Sequence, residues 1–148
     1  MPKIIPELRE RFLLSAKQRL LRDHDLTIRQ IAQDCETAVG TVYNYFPSKE
    51  SLLAAVMMED WRTCLNRMLT KASAEDTALE ALHRTTDALS WFSSRYAPIW
   101  RNYASEKDSM DALTLRHQKI IGEIAGVVQA TLVRFDIPGD MDLSEVLS

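Results

Sequence analysis

A short stretch of the chain near position 40 carries side chains that suit contact with a phosphate-lined surface. Thr41, Tyr43 and Tyr45 supply hydroxyl groups, and Lys49 supplies a positive charge. Gly40 has no side chain, so a partner can approach the backbone closely there. Hydroxyl, lysine and backbone N–H groups are the donors that bind phosphate oxygens in protein–DNA complexes. The chemistry predicted for this stretch is therefore non-covalent binding of nucleic acid.

Two predicted short helices would position these groups. Thr27 and Gln30 have the spacing of a capping box, in which two side chains satisfy free N–H groups at a helix start. A second helix is predicted from Val39 to Phe46, and it should end at Pro47 because proline disfavours helical geometry in the residue before it. Two short helices joined by a turn of about four residues are typical of a helix-turn-helix, whose second helix enters the DNA major groove.

The remainder of the chain is also predicted to be helical, so the fold class is all-α. Four glycines and five prolines among 148 residues are few for an all-β fold, which needs both in its turns. In the helix after residue 75 we expect Leu79 and Leu82 to face inward and Pro98 to interrupt. Apolar residues at spacings of three and four predict long helices at about residues 6–22, 49–71, 76–96 and 110–135.

Composition excludes several classes of protein. The longest apolar run has seven residues, too few to cross a membrane. The two cysteines lack metal-ligand spacing, and with no signal peptide the expected location is the reducing cytoplasm. The chain has no nucleophile, zinc or phosphate-loop motif, so we expect no enzyme activity, cofactor or metal. The net charge is −3, yet residues 1–50 carry +1 and residues 51–148 carry −4, which permits a DNA-facing N-terminal segment.

Residues 27–53 resemble the DNA-binding head of the TetR/AcrR family of bacterial transcriptional regulators. The resemblance is carried by Thr27 to Ala32, by the run from Gly40 to Glu50, and by Leu52 and Leu53. It implies that Arg29 is the best candidate for reading a base, since arginine pairs bidentately with guanine. The positions that the resemblance implies for DNA contact are Thr27, Arg29, Val39, Gly40, Thr41, Tyr43, Tyr45 and Lys49.

Three positions depart from the family pattern. Glu36 stands where the family usually has a glycine that ends the second helix in a left-handed turn. Ala38 stands where the family usually has serine or a similar cap, and Val39 replaces a polar or basic residue. We therefore expect a slightly less stable turn, with Glu36 directed away from phosphate and Val39 touching a thymine methyl group or nothing.

The resemblance also implies a division of labour. Residues 1–50 would form the DNA-binding domain, and residues 51–148 a helical domain that binds a small-molecule effector and forms a homodimer. The expected function is a repressor that leaves a palindromic operator when the effector binds. Core packing is the alternative interpretation of the tryptophans. The candidate effector-binding residues all have aromatic side chains: Trp61, Trp91, Tyr96, Trp100, Tyr103 and His117.

The last residues suggest a second hypothesis. Asp142 and Glu145 have the spacing of a helix start, but the chain stops three residues later. Family chains are longer, and their last two helices form the dimer interface. Either this segment is a short terminal extension, or a C-terminal helix has been lost, and of the two we expect the second. The alternative function is a truncated regulator that pairs with a full-length relative as a protein-interaction module, without binding DNA tightly itself.

Overall fold

The computed structural model describes residues 5–70, 77–103 and 110–138. These residues form six α-helices and no β-strand, which confirms the predicted all-α class. The helix start expected at Asp142 lies outside the described residues. In chain order the helices are α1 Pro6–Asp23, α2 Ile28–Asp34, α3 Val39–Tyr45, α4 Lys49–Leu69, α5 Ala78–Tyr103 and α6 Met110–Arg134.

Helix α1 begins and ends for local reasons. Pro6 lies in the first turn, where its missing N–H has no intrahelical partner to lose. The helix ends at Asp23, and the cap residue His24 has a left-handed backbone (φ 59°) and donates its N–H to the carbonyl of Leu20 at 2.9 Å. Phe12 and Ala16 are fully buried on the inner face. Their spacing of four keeps the apolar stripe continuous along the helix.

The turn between α2 and α3 is a Schellman motif. The N–H of Thr37 donates to the carbonyl of Ala32 at 2.9 Å, and the N–H of Glu36 donates to the carbonyl of Gln33 at 3.2 Å. Glu36 supplies the left-handed residue that this motif needs, with φ 53°. The left-handed turn expected at this position is therefore present, although a glutamate occupies it. Ala38 gives no side-chain cap to α3.

Two residues set the boundary between α3 and α4. Phe46 has an extended backbone and is buried, and Pro47 follows it, so α3 stops where the sequence predicts. Ser48 and Ser51 then cap α4 reciprocally, because the side-chain oxygen of each accepts the backbone N–H of the other at 3.1 Å. The sharp corner leaves the start of α4 next to the end of α3.

Two predictions for α5 are wrong. Pro98 lies inside the helix and does not interrupt it. Leu79 and Leu82 do not face inward, since they are 64% and 36% exposed. The residues that face inward are small or lie further along the helix: Ala81, Thr85, Ala88 and Phe92.

The chain divides into two compact units. The first contains described residues 5–62 and 94–103, and the second contains 63–70, 77–93 and 110–138. Helices α4 and α5 therefore each contribute residues to both units. We call α1 to α3 the head, which lies wholly in the first unit. No helix in the described part of the chain has the length and apolar content that a bilayer crossing requires.

Candidate nucleic-acid interface

The core of the head fixes the relative placement of α2 and α3. Ile31 of α2 and Val42 of α3 are both 0% exposed, and Phe46 closes the end of α3. Both short helices pack together, and α2 also packs on α1. Burying apolar side chains of this size stabilises the head by about 1.5–3 kcal/mol each. Each short helix therefore depends on tertiary packing rather than on its own length for stability.

Polar links join α1 to α2. The Arg19 guanidinium forms two parallel hydrogen bonds of 2.6 Å to the Asp34 carboxylate, and the Ser15 hydroxyl donates to the same carboxylate at 2.7 Å. These donors, Arg19 foremost, lower the pKa of Asp34 to about 2. Arg11 donates to the backbone carbonyl of Cys35 at 3.0 Å, at the end of α2. The second helix is thus held in one orientation on the first.

The start of α2 presents two of the predicted contacts. Thr27 is the N-cap, and the capping box with Gln30 is complete: each residue's side chain accepts the other's backbone N–H, at 3.2 and 2.9 Å. Arg29 follows in the first turn and is exposed. An exposed arginine beside free helix N–H groups is well placed to meet an anionic surface. The capping box predicted from sequence is therefore confirmed.

The exposed face of α3 contains four residues in helical register. Val39 is 39% exposed, Tyr43 is 46% exposed, and Gly40 and Asn44 are also exposed. A side-chain carbon at Gly40 would lie more than 4 Å from the packed parts of the head that the structure describes. Packing among the described residues therefore gives no reason for glycine here. Asn44 is not among the contacts predicted from the sequence. Its spacing of four from Gly40, which puts both residues on one helix face, could have identified it.

Three predicted contacts are partly engaged within the protein. Thr41 is half-buried, and so is Tyr45, whose ring packs edge-on against Phe12 with centroids 5.4 Å apart. The Tyr45 hydroxyl accepts the N–H of Ile5 at 2.5 Å. Lys49 is also half-buried, and its ammonium group pairs with Asp25 at 2.9 Å. If Tyr45 or Lys49 contacts DNA, the same side chain therefore also stabilises the head.

The structure describes the surroundings of three predicted effector-binding residues, each within its own unit. Trp61 and Tyr96 are 1% and 2% exposed in the first unit, where Tyr96 donates to Asp60 at 2.8 Å. Trp91 belongs to the second unit and is half-buried, with the Arg67 guanidinium 4.1 Å from its ring centre. The remaining candidates have side chains outside the described part of the structure: Trp100, Tyr103 and His117.

The described surface has clefts on the head and at the end of α6 that are not lined by Trp61, Trp91 or Tyr96. One of about 350 Å³ on the head lies between Arg11, Arg19 and Asp34. The other, of about 510 Å³, lies at the end of α6 around Leu132 and Ile137. The described residues contain no group of three or more histidine, cysteine or carboxylate side chains that could hold a metal.

The two cysteines are free and buried. Burial raises the pKa of the Cys35 thiol, and it raises the pKa of Cys64 to about 11. The Cys64 thiol donates to the carbonyl of Ala88 at 3.2 Å. Both thiols therefore stay protonated near neutral pH and act as packing groups.

Comparison with known proteins agrees with this geometry. Residues 24–56 match the family model of the bacterial regulatory proteins of the tetR family. Over these residues the chain is similar to the TetR family. The matched residues contain α2, the turn and α3, which together present the exposed face described above. A comparison with curated proteins found no match.

Solved structures extend the likeness beyond the head. A protein from Shewanella sp. PV-4 described as a tetR family transcription regulator has a TM-score of 0.62 at 18% identity, over 95% of this chain and 77% of that one. A Clostridium perfringens protein described as a fatty acid metabolism regulator has a TM-score of 0.57 at 18% identity, over 92% and 77%. The chain therefore has the fold of TetR-family transcription regulators.

Proposed function

We propose that this protein is a sequence-specific DNA-binding transcription regulator that acts as a homodimer on a palindromic operator. The observation that carries the proposal is the exposed face of α3. A side chain at Gly40 would meet none of the described parts of the head that pack around this helix, so their packing does not explain the glycine. Because glycine has no side chain, its position near the start of a recognition helix lets the DNA backbone or a base edge approach closely.

The proposed division of contacts follows from exposure. Arg29 reads a base, because its side chain is exposed at the start of α2 and arginine recognises guanine bidentately. Val39 and Tyr43 meet the groove from α3. Thr27 and Thr41 contact phosphate, with Lys49 beside them. Tyr45 contributes mainly by holding α3 on α1.

Regulation by a small molecule is the second part of the proposal. A ligand can change DNA affinity only if it binds one arrangement of the two heads better than another. We propose repression, with release when an effector binds among the helices after residue 50. The homodimer is proposed from the likeness to TetR-family regulators, and three large exposed apolar side chains of the second unit are candidates for burial in it: Leu69, Leu79 and Val133.

A genomic-fragment binding selection tests this function. The purified wild-type protein and Arg29→Ala are each incubated with fragmented DNA, and retained fragments are sequenced. We expect the wild type to enrich one palindromic sequence, and Arg29→Ala to relax preference at one base pair in each half-site. The matched control is Arg62→Ala, an exposed arginine on α4 outside the proposed interface, which should retain the wild-type sequence.

The outcomes separate the two hypotheses. Enrichment of a palindrome supports a dimeric DNA reader. If neither protein enriches any sequence, and the solution mass is that of a monomer, the proposed function fails and a protein-interaction module becomes the better description. An unchanged base preference in Arg29→Ala would remove that residue from base reading while leaving DNA binding intact.

A further inference from the structure

A buried carboxylate on α4 joins three helices of the first unit. The side chain of Asp60 is 3% exposed. One of its oxygens forms an ion pair with the ammonium group of Lys17 on α1. The other oxygen accepts the hydroxyl of Tyr96 at 2.8 Å and lies 3.3 Å from the Nε of Arg95, both on α5. We call these four residues the Asp60 cluster.

The α5 side of the Asp60 cluster is built to hold a charged carboxylate. Tyr96 is buried, and burial together with the hydrogen bond to Asp60 raises the pKa of its phenol, which therefore remains a donor. Arg95 adds a positive charge that stays about 29% exposed. A buried carboxylate that lost these donors would be left under-compensated in a medium of low dielectric constant. The cluster therefore resists any displacement of α5 relative to α4.

The α1 side of the Asp60 cluster leads to the DNA-reading helices. Lys17 lies on the helix whose Ser15 and Arg19 hold Asp34 of α2. The same helix packs Phe12 against Tyr45 of α3. The position of α1 thus sets the positions of α2 and α3, and Asp60 is a fixed point for α1.

We propose that Asp60 is a positioning residue for DNA recognition, through which Tyr96 and Arg95 of α5 set the affinity of the head for its operator. The inference rests on the proposed DNA-binding function. The contact of Lys17 with one Asp60 oxygen and the contacts of Tyr96 and Arg95 with the other are expected to be energetically coupled. Removing the α5 donors weakens the restraint on α1. Part of the DNA-binding free energy is then used to order α1, so the affinity falls.

A double-mutant cycle on operator affinity tests the coupling. Tyr96→Phe removes the phenol hydroxyl but keeps the ring, and Lys17→Met removes the ammonium group but keeps the aliphatic chain. The two single variants, the double variant and the wild type are titrated into the duplex selected by the wild type, with fluorescence anisotropy as the readout. Each single variant is expected to bind about 3- to 10-fold more weakly. The double variant is expected to lose less than the product of the two losses.

The control separates positioning from loss of stability. Thr85→Val removes another buried α5 hydroxyl, which donates to the Ala81 carbonyl at 3.0 Å and does not belong to the Asp60 cluster. All titrations are made where circular dichroism shows every variant fully helical. Thr85→Val should bind the duplex like the wild type. An equal loss in Thr85→Val would assign the effect to general destabilisation and overturn the proposal.

The remaining outcomes also decide the matter. Wild-type affinity in Tyr96→Phe, a gain in affinity, or losses that simply multiply in the double variant would each overturn the proposal while leaving DNA binding established. If the wild type itself selects no duplex, the proposed function fails, and the inference that depends on it fails with it.

Discussion

Glu36 occupies a backbone conformation that favours glycine. A residue with a side chain carries a cost of about 1–2 kcal/mol in the left-handed region, and Glu36 adopts it to complete the Schellman motif after α2. Glu36→Gly should therefore raise the free energy of unfolding by about 1 kcal/mol, measured by urea denaturation. Glu36→Ala, which removes the charge but keeps the strain, should give no such gain. Equal gains in both variants would show that the charge, not the backbone, is responsible.

Gly40 permits a sharper separation of folding from function. Gly40→Ala adds a methyl group where the described head leaves open space, and alanine favours helix by up to about 1 kcal/mol over glycine. The variant should be at least as stable as the wild type in thermal denaturation. Its affinity for the selected duplex should fall by about tenfold or more, because the methyl group holds the helix away from DNA. Unchanged affinity would remove Gly40 from the interface.

Helices α1 and α2 are held together by a contact with a defined pH dependence. Asp34 has a folded pKa of about 2, below its ordinary value of 3.8, because Arg19 and Ser15 donate to its carboxylate. A lowered folded pKa contributes stability that is complete above about pH 4 and is lost as the pH falls towards 2. The stability difference between wild type and Asp34→Asn should therefore narrow over that range.

Urea denaturation between pH 5 and pH 2.5 measures this difference. Arg19→Gln is the matched variant, because it removes the main donor and leaves the Asp34 carboxylate in place. Its stability difference from the wild type should narrow over the same pH range. A difference that stays constant with pH in both variants would show that the ion pair does not stabilise the head.

The elements of the head could be predicted from sequence because their signals are local. The Thr27–Gln30 capping box and Pro47 act within three or four residues, and they fix where α2 begins and where α3 ends. The exposed face of α3 follows from helical spacing once Val42 is known to be buried. The engagement of Tyr45 and Lys49 with Phe12 and Asp25 could not be predicted, since it depends on packing between elements distant in sequence.

Helix α5 shows why local signals fail elsewhere. Pro98 costs an interior helix about 3 kcal/mol, but Tyr96 and Ile99 are buried on either side of it, and their packing offsets that cost. Nearer the start of α5, the inward face is lined by Ala81 and Ala88 rather than by leucines. Small residues allow close approach, as the bond from the Cys64 thiol to the Ala88 carbonyl shows. A prediction that relies on large apolar residues selects Leu79 and Leu82, which lie on the exposed face.

At the scale of the whole molecule, the head is part of a larger compact unit. That unit includes residues 51–62 of α4 and 94–103 of α5, so α2 and α3 belong to the same compact unit as segments from beyond residue 50. The buried Asp60 lies among these segments. Any change in α5 within this unit is therefore expected to reach DNA affinity through the contacts of α1.

A homodimer would bring two such heads to one operator. Helix-turn-helix dimers read two half-sites separated by about one helical turn of DNA or a multiple of it, and the symmetry of the protein appears in the DNA sequence. The net charge of −3 means that general attraction to DNA is weak, so affinity must come from local contacts of the heads. We therefore expect the heads to recognise DNA specifically in the major groove.

Methylation interference on the selected fragment tests whether the protein recognises bases in the major groove. Guanine N7 lies in the major groove, and a methyl group placed there blocks a side chain that reads the base. We predict that methylation of guanines in two symmetric half-sites abolishes binding by the wild type, and that Arg29→Ala loses the interference at one guanine in each half-site. Binding that tolerates methylation at every guanine N7 of the fragment would contradict recognition by this head in the major groove.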